Sequence, residues 1–259
     1  MTARIPLVAA LIAFSLLAAA CTPEDETAPS TTTTTTAVAD TATTTSTTVA
    51  AAEPLDPEGF FLNLMWHQHQ PLYPKTEDGV VTRPWVRTHA TKDYYDMAAL
   101  VAEYPDIHAT FNLTPVLLLQ LEELANGTKD IYWVLSEVPA NELDADQKQF
   151  IQDRFFDTNP QIIARFPRYQ ELVERRDSAD FTEQDYRDLQ VLFNLAWTDP
   201  SFLAEEPLAA LVAKERDYAE ADKAVIFSEH LRIIQAVPEI HRELWDAGQI
   251  EVTTTPLAH

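Results

Sequence analysis

Phe60-Phe61-Leu62-Asn63-Leu64-Met65-Trp66-His67-Gln68-His69-Gln70-Pro71 is the stretch on which the fold turns. Its first seven residues are a near-continuous apolar run, the pattern of a strand covered on both faces, and Pro71 breaks pairing just beyond it. Ile107-His108-Ala109-Thr110-Phe111-Asn112-Leu113 is a second run rich in β-formers. Ile250-Glu251-Val252-Thr253-Thr254-Thr255, stopped by Pro256, is a third. Between the first two, the spacing predicts a helix over residues 92–103. Thr91 would cap it, Tyr94, Met97, Ala98, Val101 and Tyr104 form its apolar stripe, and Pro105 ends it. Strand, helix and strand with no tight hairpin signal read as a parallel βαβ unit and an α/β fold.

Outward from that unit the text turns helical, from about 115 to 246. Val116 to Leu124 is apolar and ends at Asn126-Gly127, a C-cap pair. Thr182-Glu183-Gln184-Asp185 opens a helix in the manner of a capping box, with Tyr186, Leu189, Leu192, Phe193 and Ala196 at helical spacing behind it. Further helices are predicted after Pro207 and after Pro238. More than a hundred residues of helix is long for one crossover, so about 136–246 reads as a helical insertion. No repeat of fixed period is visible.

Composition removes several function classes. The chain has 259 residues, 41 acidic against 18 basic side chains, one Cys and four Gly. Gly59, Gly79, Gly127 and Gly248 are too scattered for a phosphate-cradling loop, so a P-loop or Rossmann site lacks its raw material. A single cysteine excludes an internal disulfide framework and any CxxC site. A net charge of −23 argues against nucleic acid as a partner, because that needs clustered Lys and Arg. The excess acid reads as a solvated surface. With 46% hydrophobic residues and 10% aromatic, there is material for a core.

The first 21 residues read as an address: Arg4, an apolar run from Leu7 to Ala20, then Cys21. The run is too short to cross a hydrocarbon layer of ~30 Å comfortably. The segment resembles a bacterial lipoprotein signal in which Cys21 becomes the lipidated terminus, although Ala18 stands where a leucine is usual. That implies a membrane partner through an N-terminal lipid anchor, and a location on the outer face of the cytoplasmic membrane. Residues 22–58 read as a disordered tether: 13 of the 22 residues in 27–48 are Thr, and the tether holds seven acids and no base. Residues 59–259 are then the folded part.

The densest chemical signal is Trp66-His67-Gln68-His69-Gln70-Pro71, directly after the first strand. In an α/β barrel the strand C-termini converge on the site. Histidines can exchange hydrogen bonds with sugar hydroxyls while Trp66 packs against an apolar sugar face. His-x-His is also a start for a divalent-metal hydrolase or deacetylase. Its further ligands would come from His108, which begins its strand, His230 and His241 in helical text, or His259. A third alternative is a carbohydrate-binding lipoprotein without turnover.

Three strings carry a more specific likeness: Leu64 to Pro71; Pro84-Trp85-Val86-Arg87-Thr88-His89-Ala90-Thr91-Lys92-Asp93-Tyr94-Tyr95-Asp96-Met97; and Phe111-Asn112-Leu113-Thr114-Pro115. Together with Gly248 to His259, they resemble the amino-terminal part of glycoside hydrolase family 57, whose His-Gln-Pro motif matches His69-Gln70-Pro71. The resemblance implies part of an incomplete (β/α)7 barrel acting on α-linked glucans with retention, without metal or cofactor. It implies substrate binding at His69, His67 and His259; Trp66, Arg87, His89 and Asn112 lie in the matching strings. Retention needs two carboxyl groups roughly 5–5.5 Å apart. In the family both come from motifs beyond the second, so the expectation is an N-terminal fragment with no catalytic carboxylate, inactive alone. Asp93 and Asp96 read as first-turn helix residues, and Glu251 as a strand residue with no visible partner.

Overall fold

The computed structural model describes residues 59–177 and 180–257. The expected leader, Cys21, the tether and His259 lie outside the described residues. All three expected strands are present and shorter than predicted: β1 (Met65–Gln68), β2 (Ala109–Leu113) and β3 (Ile250–Thr253). They form a parallel sheet in the order β1-β2-β3, with His67 opposite Asn112 and Asn112 opposite Thr253. The central strand is buried at every residue. The stretch before and within β1 is not covered as expected. Phe60 is 93% exposed and Met65 58%, because the apolar run continues N-terminally past its pairing partner and Met65 points to the sheet face that the helices leave uncovered.

The crossover helix also starts earlier than predicted. Pro84, with its preset φ, opens α1 (Trp85–His89), which runs through a π-helical turn (Ala90–Tyr94) into α2 (Tyr95–Ala102) without a break. Thr91 is therefore no cap. It is buried inside the helix, its hydroxyl turned back to the Arg87 and Thr88 carbonyls and across to the Trp197 carbonyl at 2.8 Å. Tyr94, Ala98 and Val101 are buried as the stripe requires, while Tyr104 lies past the helix end and is exposed.

After β2 come α3 (Pro115–Ala125), α4 (Ile131–Glu137), α5 (Ala145–Arg154), α6 (Pro160–Ile163), α7 (Pro167–Glu174), α8 (Glu183–Ala196), α9 (Pro200–Leu203), α10 (Leu208–Lys214) and α11 (Glu220–Asp246). Helix α3 stops where Asn126-Gly127 predicted: Gly127 takes φ +95°, its N–H reaches the Leu124 carbonyl, and Thr128 N–H reaches the Glu123 carbonyl, closing a Schellman cap. The Thr182–Asp185 capping box opens α8. Pro238 does not begin a helix. It sits inside the 27-residue α11, on the solvent side, where packing of the opposite face offsets the proline's penalty of about 3 kcal/mol, the lost bond and the ring clash together.

Helix α11, about 40 Å long, ties the packing together. Ile226 and Ile233 enter the large core of the helical region, Ile234 and Val237 meet α1 and α3, and Leu244 packs with Phe111 and Ile250 of the sheet. Helices α2 and α11 thus cover one face of the sheet. The other face carries the polar residues.

Candidate functional site

Side chains alternate across a strand, and the parallel register aligns them in rows. Met65 and His67, Thr110 and Asn112, and Glu251 and Thr253 share one face; Trp66, Gln68, Phe111, Leu113, Ile250 and Val252 share the other. Hydrogen bonds run across the polar face from strand to strand. Glu251 Oε2 accepts from the Thr110 hydroxyl at 3.2 Å. One row on, His67 Nδ1 lies 2.7 Å from Asn112 Oδ1, and Asn112 Nδ2 donates to Thr253 Oγ1 at 3.0 Å. A carbonyl oxygen only accepts, so Nδ1 carries a proton and, in the neutral ring, His67 Nε2 presents a lone pair. His67 is exposed and its ring stacks on His69, 5.6 Å away and within 8° of parallel.

The loop after β1 is fixed to the crossover helix. Tyr94 donates its hydroxyl to the His69 carbonyl at 3.3 Å and accepts from Gln70 Nε2 at 3.2 Å, and Tyr73 donates to Gln70 Oε1 at 2.6 Å. Burial pushes the Tyr94 hydroxyl up to about 12, with the Asp93 charge adding to this against the Gln70 bond, so it stays a donor. On the same helix His89 Nδ1 pairs with Asp93 Oδ2 at 2.5 Å, and its ring lies beside Tyr94 and Trp197. His67, His69 and Asn112 therefore gather at the C-terminal end of the sheet, where a barrel site is expected, and His89 is linked to their loop through Tyr94.

Two expected site residues stand elsewhere. Trp66 faces the helices, in an apolar groove of about 320 Å³ with Met97, Leu100 and Tyr104, because it alternates with His67 and must point to the opposite side. Arg87 is fully buried. Its guanidinium donates to both Asp130 carboxylate oxygens at 2.5 and 3.2 Å and to Asn194 Oδ1 at 2.8 Å, and faces His230 Nδ1 at 3.2 Å. Trp133 and Phe227 flank it. It joins α1 to α4, α8 and α11 and reaches no solvent. His230 is locked behind it, with Nε2 at 2.9 Å from the Thr198 hydroxyl; burial, then the Arg87 charge, hold it well below the usual imidazole range.

Of the carboxylates, Asp93 lies inside a continuous helix and pairs with His89. Asp96 borders the groove of Trp66 on the helix side, its carboxyl raised first by burial and then by Asp199 and other acids. Glu251 is the carboxylate that the three strands place on the polar face. His108 is exposed at the opposite end of the sheet, beside Gly248, and His241 is buried against Phe111. Among the described residues, no group of three His, Cys, Asp or Glu could hold a metal ion. Sequence reading missed Tyr94, Asp93, Thr253 and Trp197 as site neighbours. The i,i+4 spacing of His89 and Asp93 was a usable signal, and so was the alternation that aligns Thr253 with Glu251.

The fold is mixed α/β, with a parallel three-stranded sheet whose polar side chains gather at its C-terminal mouth. The family model for glycosyl hydrolase family 57 matches residues 63–259, and the chain belongs to that family. Its class is therefore glycoside hydrolase, with a glycan as substrate. No curated protein and no solved structure gave a match.

Proposed function

We propose that this chain is the glucan-binding, amino-terminal part of a retaining α-glucan hydrolase or transglycosylase, its three strands forming one side of an incomplete (β/α)7 barrel. The observation that carries the reading is the chain of bonds His67–Asn112–Thr253, which crosses all three strand ends and leaves an imidazole acceptor free on an exposed polar face. Sugar hydroxyls are donors and acceptors of the kind such a row recognises. Retention needs a nucleophile and an acid/base on the same face, and the strands supply Glu251 alone. On this reading the catalytic pair lies outside the described residues, and the 259-residue chain binds glucan without hydrolysing it. Family membership supports the glycan; the α-linkage comes from the resemblance of the motifs. Arg4, the apolar run to Ala20 and the lone thiol of Cys21 support attachment to the outer face of a bacterial membrane.

Calorimetry of the chain with maltopentaose tests the binding. Replacing both His67 and His69 by alanine should weaken affinity about tenfold or more, as loss of two exposed hydrogen-bonding groups requires. A folded chain that binds no maltooligosaccharide, or a double variant that binds as well as the parent, refutes the proposal. Release of reducing sugar by the chain alone would refute the assignment of the carboxylates. Labelling with a radioactive fatty acid in a bacterial host should mark the protein and not its Cys21→Ala variant; an unlabelled parent rules out the anchor.

A further inference from the structure

The helical run opened by Pro84 carries two polar side chains that its packing does not use. Val86, Arg87, Thr88, Ala90, Thr91, Tyr94 and Ala98 are buried, whereas the His89 and Asp93 side chains keep 30% and 38% of their surface open. A carboxylate only accepts, so the 2.5 Å bond between them places the His89 proton on Nδ1. In the neutral ring Nε2 then offers a lone pair, and no described residue bonds to it. Aromatic rings border the imidazole on two sides, Tyr94 at 5.9 Å and Trp197 edge-on at 5.4 Å. Tyr94 in turn holds the His69 carbonyl, so His89 stands one ring away from the loop of the histidine pair.

The π-helical turn explains how Trp197 comes to be there. Widening the helix at Ala90–Tyr94 leaves the Thr91 carbonyl free to accept from Asp199 N–H at 3.0 Å, while the Thr91 hydroxyl donates to the Trp197 carbonyl. The helical region is thereby fastened beside His89 by two bonds from Thr91, one from its carbonyl and one from its hydroxyl, on either side of Thr198. Trp85 adds a second edge contact to Trp197 at 5.7 Å. His67 and His89 share one design: Nδ1 is tied down by a neighbouring oxygen and Nε2 is presented.

We propose that His89 contacts a second glucose unit, the neighbour of the one bound at His67 and His69, with Asp93 as its positioning residue and Trp197 as the apolar border. The proposal rests on the glucan reading above. Nε2 accepts from a sugar hydroxyl, and Trp197 supplies an apolar border to the same ring. The device would make affinity depend on glucan length.

The full chain, its His89→Ala and its Asp93→Asn variants should be titrated with glucose, maltose and maltopentaose. Parent affinity should rise with length. Both variants should lose about tenfold for maltose and maltopentaose and less than twofold for glucose, one hydrogen bond's contribution confined to the second unit. With 15N-labelled histidine, the His89 Nε2 resonance should shift on saturation with maltose or maltopentaose and remain in place with glucose; in Asp93→Asn the preference for the Nδ1–H form should weaken. Unchanged length dependence in both variants overturns the second contact, as does an unmoved Nε2 resonance. Equal losses at every length would assign His89 to the first unit and overturn it too. A parent chain that binds no oligosaccharide sinks the glucan reading itself, and this proposal with it.

Discussion

Replacing Arg87 by methionine should be among the most damaging single changes in the folded region. Arg87 is 0% exposed and its partner Asp130 1%. Removing the guanidinium leaves the Asp130 charge buried with only the Trp133 N–H at 2.9 Å to answer it, and strands the Asn194 carbonyl. Breaking one partner out of a buried pair costs about 3–5 kcal/mol, a third or more of the stability of an ordinary domain. Asp130→Asn should cost a similar amount by stranding the cation instead. The double variant removes both charges and should lose clearly less than the two singles added, by about 2 kcal/mol or more. His230 gives the pH signature. Its folded value lies below the unfolded 6.5, through burial and then the Arg87 charge, so the unfolded state binds more protons and stability falls as pH drops below about 6.5. Without Arg87 only burial depresses it, and the unpaired Asp130 carboxylate favours the proton. The cost of Arg87→Met should therefore be smaller at pH 5 than at pH 8. Urea unfolding followed by circular dichroism at both values measures this. Additive singles, a cost under about 1 kcal/mol, or an equal cost at both pH values would refute the reasoning.

Three further outcomes follow from the same geometry. Asn112→Leu removes the acceptor that fixes His67, and should weaken maltopentaose binding about three- to tenfold with a stability change near 1 kcal/mol; unaltered binding by calorimetry would remove Asn112 from the site. At Asp185, burial raises the carboxyl, but bonds from Thr182, Arg175 and Arg168 outweigh it and hold the group at about 2 against an ordinary 3.8. The difference, about 2 kcal/mol, is fully present above about pH 5 and lost as pH falls through 2. Asp185→Asn should flatten the decline in urea midpoint between pH 4 and 2, and parallel curves for parent and variant would contradict the assignment. Gly127→Ala should cost about 1 kcal/mol from the left-handed φ of +95° alone, since open space surrounds its Cα, with Gly127→Asn milder; equal urea midpoints for all three proteins would show that the cap carries no strain.

The parts of the fold legible in the sequence were those written in local chemistry. Thr182 with Asp185 starts α8 because the capping box is complete within four residues, and Gly127 ends α3 because only a residue free of a Cβ adopts that φ cheaply. Parallel pairing followed from the missing hairpin signals. What failed were inferences in which a distant contact decides. Thr91 looks like a cap until the turn at 197–199 is present to receive its hydroxyl, and Pro238 looks like a start until Ile226, Ile233, Val237 and Leu244 hold α11 together on both sides of it. Phe60 to Trp66 reads as doubly covered because apolar content is visible in a sequence and the sheet face that the helices leave uncovered is not.

The site divides along the same line, and the division says which motif residues to trust. Trp66 and His67 are adjacent in the string that carried the family likeness, yet strand geometry sends them to opposite faces, so on the proposed reading His67 alone of the two lies on the face that meets the glucan. The hydrogen bonds choose His67: it is joined to Asn112 and through it to Thr253, whereas Trp66 lies among Met97, Leu100 and Tyr104. Arg87 and His89 are two apart on a helix, which places them on different sides by about 200° of turn. Burial chooses His89, because a guanidinium already bonded to Asp130 and Asn194 has no face left for a sugar. In both pairs the proposed contact is a histidine with one nitrogen tied down and the other open, whereas Arg87 is locked in the core and Trp66 lines a groove on the helix side of the sheet.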